Sequence, residues 1–318
     1  MTKTKRQNHH IDLNKIKTYS AKKRKSKVRQ EDFAKPTSRG SSFSAFYSSL
    51  PGILAGSDFK AVVKAIVSAK KKRKMVIFMM GAHVIKCGLS PLVIDLMKKG
   101  VIKAVAMTGA GLIHDTELAM MGRTSEDVAE GVRDGSFGMA EETASFINGS
   151  IDLGFRKGLG IGVAVGECLI KEGFPHRDLS ILAAGIKYKV PVTIHVAIGS
   201  DIVHMHPSCN GEALGEGSLI DFRNLIYSVS KLGNGGVAIN FGSAVLMPEV
   251  FLKAITVARN LGHKTKDLTT ANFDMLAQYR PHQNVVHRPT KGLGKGCNII
   301  GRHEIMLPFL HRSVIEGI

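Results

Sequence analysis

Two short apolar segments near the middle of the chain, each followed by a glycine turn, constrain the fold more than any other feature. The first, MVIFMM, begins at Met75 and leads into Gly81, and the second, VIKAVAMT, leads into Gly109. Between them, apolar residues recur at helix spacing from Leu92 to Met97. Bounded apolar runs of this length are typical of strands buried on both faces of a parallel sheet. The pattern therefore predicts a β-α-β unit.

The same alternation of strand-like and helix-like segments continues towards the end of the chain. Further strands are predicted at VPVTIHVAIG (190–199), GGVAINFG (235–242) and TTANFD (269–274), and segments of helical length separate them. Alternating strands and helices favour one sheet with helices on both faces. The predicted fold class is α/β, with a doubly wound, mostly parallel sheet of the Rossmann-like type.

Three local expectations follow from turn and capping residues. A capping-box pattern predicts a helix over 124–132 with Thr124 or Ser125 as its N-cap. A later helix is predicted to begin at Ser243, directly after a strand. The stretch 279–296 ends in closely spaced glycines and is predicted to be rich in loops.

Positive charge is concentrated at the beginning of the chain. The protein has 318 residues and a formal net charge of +18, and residues 1–30 contain 11 Lys or Arg but a single acid, Asp12. The stretch 1–49 has almost no apolar periodicity, as is typical of segments that cannot bury enough surface to fold. We predict a disordered basic tail over 1–49 with weak affinity for polyanions such as RNA, followed by a single domain over 50–318.

Composition and motif content exclude several classes of protein. The chain has no run of about 18 or more apolar residues, so no transmembrane helix is predicted, and its beginning lacks the apolar core of a secretory signal. The four cysteines are far apart and show no C-x-x-C spacing. These features predict a reduced, cytoplasmic protein without a membrane segment.

Polar residues follow each predicted strand, where a parallel sheet would bring them to one edge. The turns 81–83, 108–115, 199–206 and 242–244 combine glycines with hydroxyl, imidazole or carboxylate groups. Ligands of open α/β sheets bind beyond the carboxyl ends of strands, where glycines let the backbone approach a phosphate. We therefore expect the turns to form one dinucleotide site. The carboxylate that such a site needs for a ribose would come from Asp115, Glu117, Asp201 or Asp274.

The loop after the strand predicted at 190–199 supports a second interpretation. The oxygen and imidazole groups of this loop are ligands that a divalent metal accepts. The candidate set is Asp201, His204 and His206, completed by His195 or by His303 and Glu304. Such a set predicts a metal-assisted hydrolase or lyase, although a histidine-rich active site without a metal explains the same residues.

Four segments, taken in order, resemble those of the deoxyhypusine synthase family. They are GAHVIKCGLSPLVIDLMKKGVIKAVAMTGAGLIHD (81–115), VPVTIHVAIGSD (190–201), GGVAINFGSAV (235–245) and TTANFD (269–274). The resemblance extends over roughly residues 75–308 and lies in the order of scattered motifs. Enzymes of this family transfer an aminobutyl group from spermidine to a lysine and use NAD as a transient hydride acceptor.

The resemblance implies an NAD-dependent transferase that moves an aminoalkyl group from a polyamine-type donor to an amine acceptor. The residues that would surround NAD are Gly81, Ala82, His83, Thr108, Gly109, Ala110, Gly111, Asp115, Gly199, Ser200, Gly242 and Ser243. The catalytic candidates are Lys291 or Lys295 as the nucleophile, Asp274 for an amine of the donor, and Asp201 with His204. The family relationship also implies a small-molecule amine substrate and a homo-oligomer, namely a tetramer.

The chain departs from the family pattern at two places. The family's nucleophilic lysine lies beside a tryptophan, and this chain has no Trp. Where the family has a pair of acids after its Thr-Ala-Gly-Gly turn, this chain has His114 and Asp115. A paralogue with altered or lost activity is therefore an alternative, as are the metal-dependent enzyme and an RNA-associated protein bound through its tail.

Overall fold

The computed structural model describes residues 11–318, so the first ten residues of the predicted tail lie outside the described residues. In chain order the helices and strands are α1 (Phe43–Ser49), α2 (Leu54–Lys71), β1 (Val76–Met80), α3 (His83–Lys86), α4 (Ser90–Lys98), β2 (Ala104–Thr108), α5 (Gly109–Met121), α6 (Val128–Asp134), α7 (Glu141–Arg156), α8 (Ile161–Glu172), α9 (Ile181–Tyr188), β3 (Val192–His195), α10 (Gly211–Val229), β4 (Val237–Phe241), α11 (Leu246–Asn260), β5 (Leu268–Asp274), α12 (Tyr279–Pro281), β6 (Gly294–Ile300) and α13 (His303–Gly317). A π-helix, His282–His287, follows α12, and short 3-10 turns lie at Leu13–Lys15, Ala21–Lys23, Gln30–Asp32, Arg177–Leu179 and Ile202–Met205. No helix of residues 11–318 is long and apolar enough to cross a bilayer.

The strands form one six-stranded sheet in the order β3-β2-β1-β4-β5-β6, and every neighbouring pair is parallel. The chain moves outward from β1 to β3, returns to the centre as β4 and moves outward again to β6. Every residue of β1 and β4 is buried, because helices cover both faces of the sheet. The predicted α/β, doubly wound, Rossmann-like fold class is confirmed.

The core consists of two layers, one on each face of the sheet. Successive side chains of a strand point to opposite faces, so Ile77 and Met79 belong to one layer and Phe78 to the other. In the larger layer the rings of Phe78, Phe241 and Phe273 stack across β1, β4 and β5, with centroid separations of 5.8 and 4.9 Å. These rings join the central strands close to the ends where the candidate site lies.

The last part of the predicted tail is folded onto the domain, contrary to the disorder expected up to residue 49. The rings of Phe43 and Phe46 in α1 lie 6.0 and 6.1 Å from that of Phe309 in α13. The ring of Tyr47 lies 6.4 Å from that of Phe59 in α2. A helix this short is not stable alone, so these tertiary contacts, which the sequence pattern does not reveal, stabilise it. The domain boundary at residue 50 stays a prediction.

The structure also corrects two predicted helix beginnings. α6 begins at Val128 with Asp127 as its N-cap, rather than at Thr124 or Ser125. α11 begins at Leu246, and the hydroxyl of Ser243 accepts a hydrogen bond from the N–H of Met247 at 3.2 Å. Both helices therefore begin three or four residues later than the local pattern indicates.

The stretch 279–296, predicted to be rich in loops, is largely regular. α12 and the π-helix occupy its first half, and β6 begins at Gly294 and pairs with β5 over seven residues. Glycines suit this edge strand because other backbone lies against it, and a Cβ on Gly296 would overlap the carbonyl oxygen of Val286. The hydrogen-bonded pairing with β5 therefore outweighs the low strand propensity of these glycines.

A buried carboxylate joins α10 to the beginning of α8 and to β3. Asp221 Oδ2 accepts hydrogen bonds from the backbone N–H groups of Gly162 and Ile194, at 2.9 and 2.8 Å. Burial raises the pKa of this carboxyl to about 7, although the hydrogen bonds act in the opposite direction. Sequence analysis missed Asp221 because its partners are distant in the chain.

Asp221→Asn is expected to change how stability depends on pH. Because the folded pKa of Asp221 is raised above its value of 3.8 in an unfolded chain, its contribution is fully present below about pH 4 and is lost as the pH rises towards 7. The free energy of unfolding of the wild type, relative to the variant, should therefore fall by a few kcal/mol over this range. Urea denaturation at several pH values measures this difference. The exposed Asp178 supplies a control, Asp178→Asn, and parallel pH profiles for Asp221→Asn and the wild type would contradict the expectation.

Candidate functional site

The carboxyl ends of all six strands lie at one edge of the sheet, which we call the carboxyl edge. The register places Met80 beside Met107 and Phe241, and Thr108 beside His195. The turns at Gly81, Gly109 and Gly242, which directly follow β1, β2 and β4, therefore share this edge, and Gly199 lies in the loop after β3. The structure brings together the strand ends that the sequence predicted to converge.

The strand order has a switch point between β1 and β4, where the chain winds in opposite directions on the two sides. Open α/β sheets bind ligands in the crevice that forms there. A Cβ on Gly81 would lie 2.5 Å from the carbonyl oxygen of Gly242, and Gly242 itself has a φ of +68°. Glycine is therefore required at both turns, which touch each other through backbone atoms.

His303, the first residue of α13, is fully buried at the switch point. Its ring centroid lies 5.4 Å from that of His83 and 5.3 Å from that of Phe241. Neither ring nitrogen has a hydrogen-bond partner among the described residues. Burial lowers the pKa of His303, and the charge of Asp274 opposes this effect only in part. The ring is therefore a neutral imidazole with an unused proton acceptor.

Asp274 ends β5 on the same edge, where the sequence predicted it. Its Oδ1 accepts a hydrogen bond from the N–H of Met275 at 2.7 Å. Its Oδ2 is buried and has no partner within residues 11–318. The predicted contact with a donor amine stays a prediction, but the side chain has an acceptor available for it.

A pocket of about 200 Å³ lies at the carboxyl edge, above the beginning of α5 and beside the loop after β3. Its polar lining consists of Lys86, His114, Glu117, Ser125, Glu126, Ser200 and Asp201. A larger cleft of about 390 Å³, between α4, α8 and α9, lies against helices rather than strand ends. We therefore take the smaller pocket as the candidate site. Three carboxylates in its lining favour a cationic ligand.

A hydrogen-bond network rigidifies one wall of this pocket. The hydroxyl of Thr124 donates to Glu117 and lies 2.6 Å from His114 Nδ1, and the hydroxyl of Thr143 donates to Glu117 at 3.1 Å. Burial lowers the pKa of His114, while the charge of Glu117 partly opposes the change. The sequence pattern assigned Thr124 to a helix cap and gave Thr143 no role, because only the fold brings these two residues to Glu117.

Asp201 occupies the beginning of α5, where the sequence predicted a phosphate cradle. A Cβ on Gly109 would overlap Asp201 Oδ2, and the hydroxyl of Thr108 already accepts a hydrogen bond from the N–H of Gly111 at 3.3 Å. The turn formed by Thr108, Gly109, Ala110 and Gly111 is thus filled by the protein's own carboxylate. Burial raises the pKa of Asp201, and its Oδ2 has no hydrogen-bond partner in the described part of the chain.

The proposed metal ligands do not come together. His204 Nε2 lies 3.9 Å from Asp201 Oδ2, while His206 Nε2 donates a hydrogen bond to the carbonyl oxygen of Gly138 at 2.8 Å. His195 is buried at the end of β3, and burial lowers its pKa to about 4. Among residues 11–318 no group of three or more His, Cys, Asp or Glu side chains is arranged to hold a metal ion. The metal-site hypothesis is therefore not supported by the geometry.

Asp115 was predicted to face a ribose, and the structure assigns it a different role. It is completely buried and accepts hydrogen bonds from the hydroxyl of Ser180 at 2.5 Å and from the N–H groups of Ile181 and Leu182 at 2.7 and 3.1 Å. Burial raises its pKa to about 6. Asp115 caps α9 and does not reach the carboxyl edge.

Lys291 and Lys295, the predicted nucleophiles, lie at the opposite edge of the sheet, where the strands begin; we call it the amino edge. Lys295 is the second residue of β6 and forms an ion pair with Asp58 at 3.8 Å. Five residues of strand, about 16 Å, separate it from the carboxyl end at Ile300. Because both lysines lie at the amino edge, neither can act in the candidate site of the same chain. Their position was mispredicted because the pairing of β6 with β5 was not predicted.

Comparisons with known proteins support the fold class. No family model matches the chain, and no curated protein matches it. Among solved structures, a conserved protein from Methanococcus maripaludis S2 described as LOR/SDH is 15% identical, with a TM-score of 0.53 over 83% of this chain and 70% of that one. AgrE, crystallised with ornithine and NAD⁺, is 13% identical, with a TM-score of 0.52 over 81% of this chain and 32% of its own.

ArgZ, an arginine dihydrolase from the ornithine-ammonia cycle in cyanobacteria, is 14% identical, with a TM-score of 0.51 over 81% of this chain and 31% of its own. This chain therefore spans about a third of the length of AgrE and ArgZ. A protein from Entamoeba histolytica described as a deoxyhypusine synthase gives a TM-score of 0.47. That value is too low for a conclusion, and at these identities the comparisons show a shared fold, while the deoxyhypusine synthase assignment is not confirmed.

Gly109→Ala tests the position of Asp201. The new Cβ would overlap Asp201 Oδ2, so the carboxylate must leave its place at α5, and we expect the free energy of unfolding to fall by about 1–3 kcal/mol. Gly149→Ala is the control, because a Cβ there meets nothing within 4 Å in the middle of α7. It should leave stability unchanged or raise it by up to about 1 kcal/mol. Equal urea midpoints for the two variants would contradict the assigned position.

Proposed function

We propose that this protein is an NAD-dependent enzyme that oxidises an amine at the carbon next to nitrogen and transfers the resulting aminoalkyl group to an amine acceptor. The proposal rests on the groups gathered at the carboxyl edge: a switch point, an acid-lined pocket and a buried neutral imidazole. Asp201 supports it most directly, because it lines the pocket and carries a buried oxygen that has no hydrogen-bond partner among the described residues. Such an oxygen is stabilised by a cationic amine.

The residues at the switch point fit a dinucleotide. Gly81 and Gly242 have no side chains where the two turns meet, and Ser243 follows at the same edge. α11, which is 15 residues long, begins just beyond, and the beginning of a helix favours phosphate groups. Since Asp201 fills the beginning of α5, α11 is the better-placed helix for the phosphates. NAD held there would supply the acceptor for a hydride.

We assign to His303 the role of receiving the proton that amine oxidation releases. When the hydride leaves with the electron pair of the C–H bond, the carbon–nitrogen bond becomes double and the nitrogen loses a proton. A neutral imidazole with an unused nitrogen can accept that proton. The pocket adjoins the switch point through α3, which carries His83 on one side and Lys86, a pocket residue, three positions later. Side chains three apart on a helix have Cβ atoms about 5–6 Å apart.

Group transfer also requires an amine that attacks the imine carbon and releases the original amine as the leaving group. The new imine that results would become an amine when the hydride returns to its carbon from NADH. The predicted nucleophiles Lys291 and Lys295 lie at the amino edge. Lys86 is the lysine that lines the pocket. The acceptor is therefore Lys86, as a transient carrier, or an external amine that enters the pocket. The homo-oligomer and the cytoplasmic setting remain part of the proposal, as implied by the resemblance and the composition.

Asp201→Asn and Asp115→Asn form a matched pair for testing the amine site. Both residues are buried aspartates, but only Asp201 lines the pocket. With spermidine as the donor and NAD⁺ present, we expect Asp201→Asn to reduce NADH formation at least about 100-fold, because the substrate cation loses its partner. Asp115→Asn should retain activity within about threefold. Equal losses in the two variants would show that the effect is structural.

NADH binding, measured through its fluorescence, tests the cofactor site independently. Alanine at Gly242 would place a Cβ 2.6 Å from His303 Nε2, and we expect Gly242→Ala to weaken binding at least about tenfold. Gly235→Ala is the control, because its φ of +97° is also unfavourable for alanine but its Cβ would lie in open space at the amino edge. A chain that binds no NADH, or two variants that bind it equally well, would overturn the proposed cofactor site.

A further inference from the structure

Each strand of the sheet is preceded by a basic residue. Because all six strands are parallel, the loops that lead into them lie together at the amino edge, opposite the candidate site. One basic residue from each loop, in sheet order, is Lys189, Lys103, Arg73, Lys231, Lys266 and Lys291. Further lysines, among them Lys71, Lys72 and Lys264, stand beside them. Cations from distant parts of the sequence thus form one continuous row.

Backbone hydrogen bonds hold neighbouring loops of this row side by side. The N–H of Lys103 donates to the carbonyl oxygen of Val76 at 2.9 Å, which joins the loop before β2 to the first residue of β1. The N–H of Asn234 donates to the carbonyl oxygen of Lys266 at 2.8 Å, which joins the loops before β4 and β5. The row therefore belongs to the folded domain and is held by the same pairing that forms the sheet.

Most of these cations have no acid beside them. Within residues 11–318 no carboxylate lies within ion-pair distance of Arg73, Lys189, Lys231, Lys264, Lys266 or Lys291. Burial lowers the pKa of Lys103, and the charges of Lys70 and Arg73 lower it further. The loops that lead into the six strands contain one acid, Asp267, so the amino edge carries a net positive charge.

The shape of the row indicates the class of ligand. Adjacent strands lie about 4.8 Å apart, so six strands carry the row over about 24 Å. A single small phosphate would contact one or two of these residues, whereas a polymer with regularly spaced phosphates contacts the whole row. Membrane-surface binding typically uses an amphipathic helix that inserts apolar side chains. The cations here stand on separate short loops, which favours a nucleic acid.

The two edges of the sheet have opposite character. The candidate site at the carboxyl edge is lined by Glu117, Glu126 and Asp201, which would repel a polyanion. An anionic polymer is therefore directed to the amino edge. A polymer bound at the amino edge would leave the pocket at the carboxyl edge open.

We propose that the amino edge binds the phosphodiester backbone of a nucleic acid, with lysines of the loops before β1, β4 and β5 contacting successive phosphates. This surface belongs to the folded domain and is distinct from the polyanion contact expected of the tail. Because backbone phosphates carry no sequence information, the binding depends strongly on salt and little on sequence.

Anisotropy of a short fluorescein-labelled single-stranded RNA, measured with the full chain at several salt concentrations, tests the proposal. The test variant combines Lys231→Ala, Lys264→Ala and Lys266→Ala. The control variant removes the same charge from exposed positions of α6, α7 and α8 by combining Arg133→Ala, Arg156→Ala and Lys171→Ala. The tail is identical in all three proteins, so the difference between the two variants reports on the amino edge.

We expect the test variant to reduce the slope of log affinity against log salt by about 2, since each single-strand phosphate contact contributes about 0.7. The affinity of the test variant at low salt should fall at least about tenfold, and the affinity of the control variant should fall less than about threefold. An unchanged melting temperature shows that the test variant is folded. A labelled DNA of the same sequence distinguishes which nucleic acid binds better.

Three outcomes would overturn the proposal. The first is that the full chain binds neither RNA nor DNA. The second is that the two variants lose affinity equally, which would assign the effect to net charge alone. The third is that the test variant loses binding to vesicles containing an anionic lipid but keeps its binding to RNA, which would assign the amino edge to a membrane surface.

Discussion

The parallel pairing of β1 with β2 on one side and with β4 on the other is the constraint on which the rest of the structure depends. It aligns Met80 with both Met107 and Phe241, so the turns that follow these strands must share an edge. Helices cover both faces, and a one-residue slip of a strand would exchange its two core faces. The backbone contact between Gly81 and Gly242 follows from this alignment. The crevice exists because the central strands cannot move relative to each other.

Three buried aspartates lie against helix beginnings beside this sheet: Asp115 at α9, Asp201 at α5 and Asp221 at α8. A buried carboxylate is costly unless donors surround it, and the first N–H groups of a helix are such donors. Asp115 has a donor for each oxygen, and the unpartnered oxygen of Asp221 faces backbone at Gly160. Asp201 differs because its side chain also lines a pocket. Of these three buried aspartates, Asp201 is therefore the one proposed to contact a substrate.

Acidic and basic residues are separated along the strand direction, and basic residues are also concentrated at the beginning of the sequence. Acidic residues gather around the pocket at the carboxyl edge, and lysines gather at the amino edge, about one strand length away. A formal charge of +18 for the whole chain conceals this separation. A cationic amine and an anionic polymer would therefore be attracted to opposite ends of the same domain. The two proposed binding activities do not compete for one surface.

The strands, their order along the chain and the glycine turns at Gly81 and Gly242 could be predicted from local patterns, because a strand buried on both faces must be continuously apolar wherever it lies in the chain. Local patterns also pointed to Asp201 and Asp274 as residues of the carboxyl edge. They could not separate Asp115 from Asp201, since both follow the same kind of turn and differ only in what is packed against them. They could not place Lys295 either, because its position at the amino edge depends on β6 pairing with β5 despite a glycine-rich sequence. Burial, unpartnered atoms and the neighbours of His303 are set by contacts between residues far apart in the chain, and only the folded structure brings those residues together.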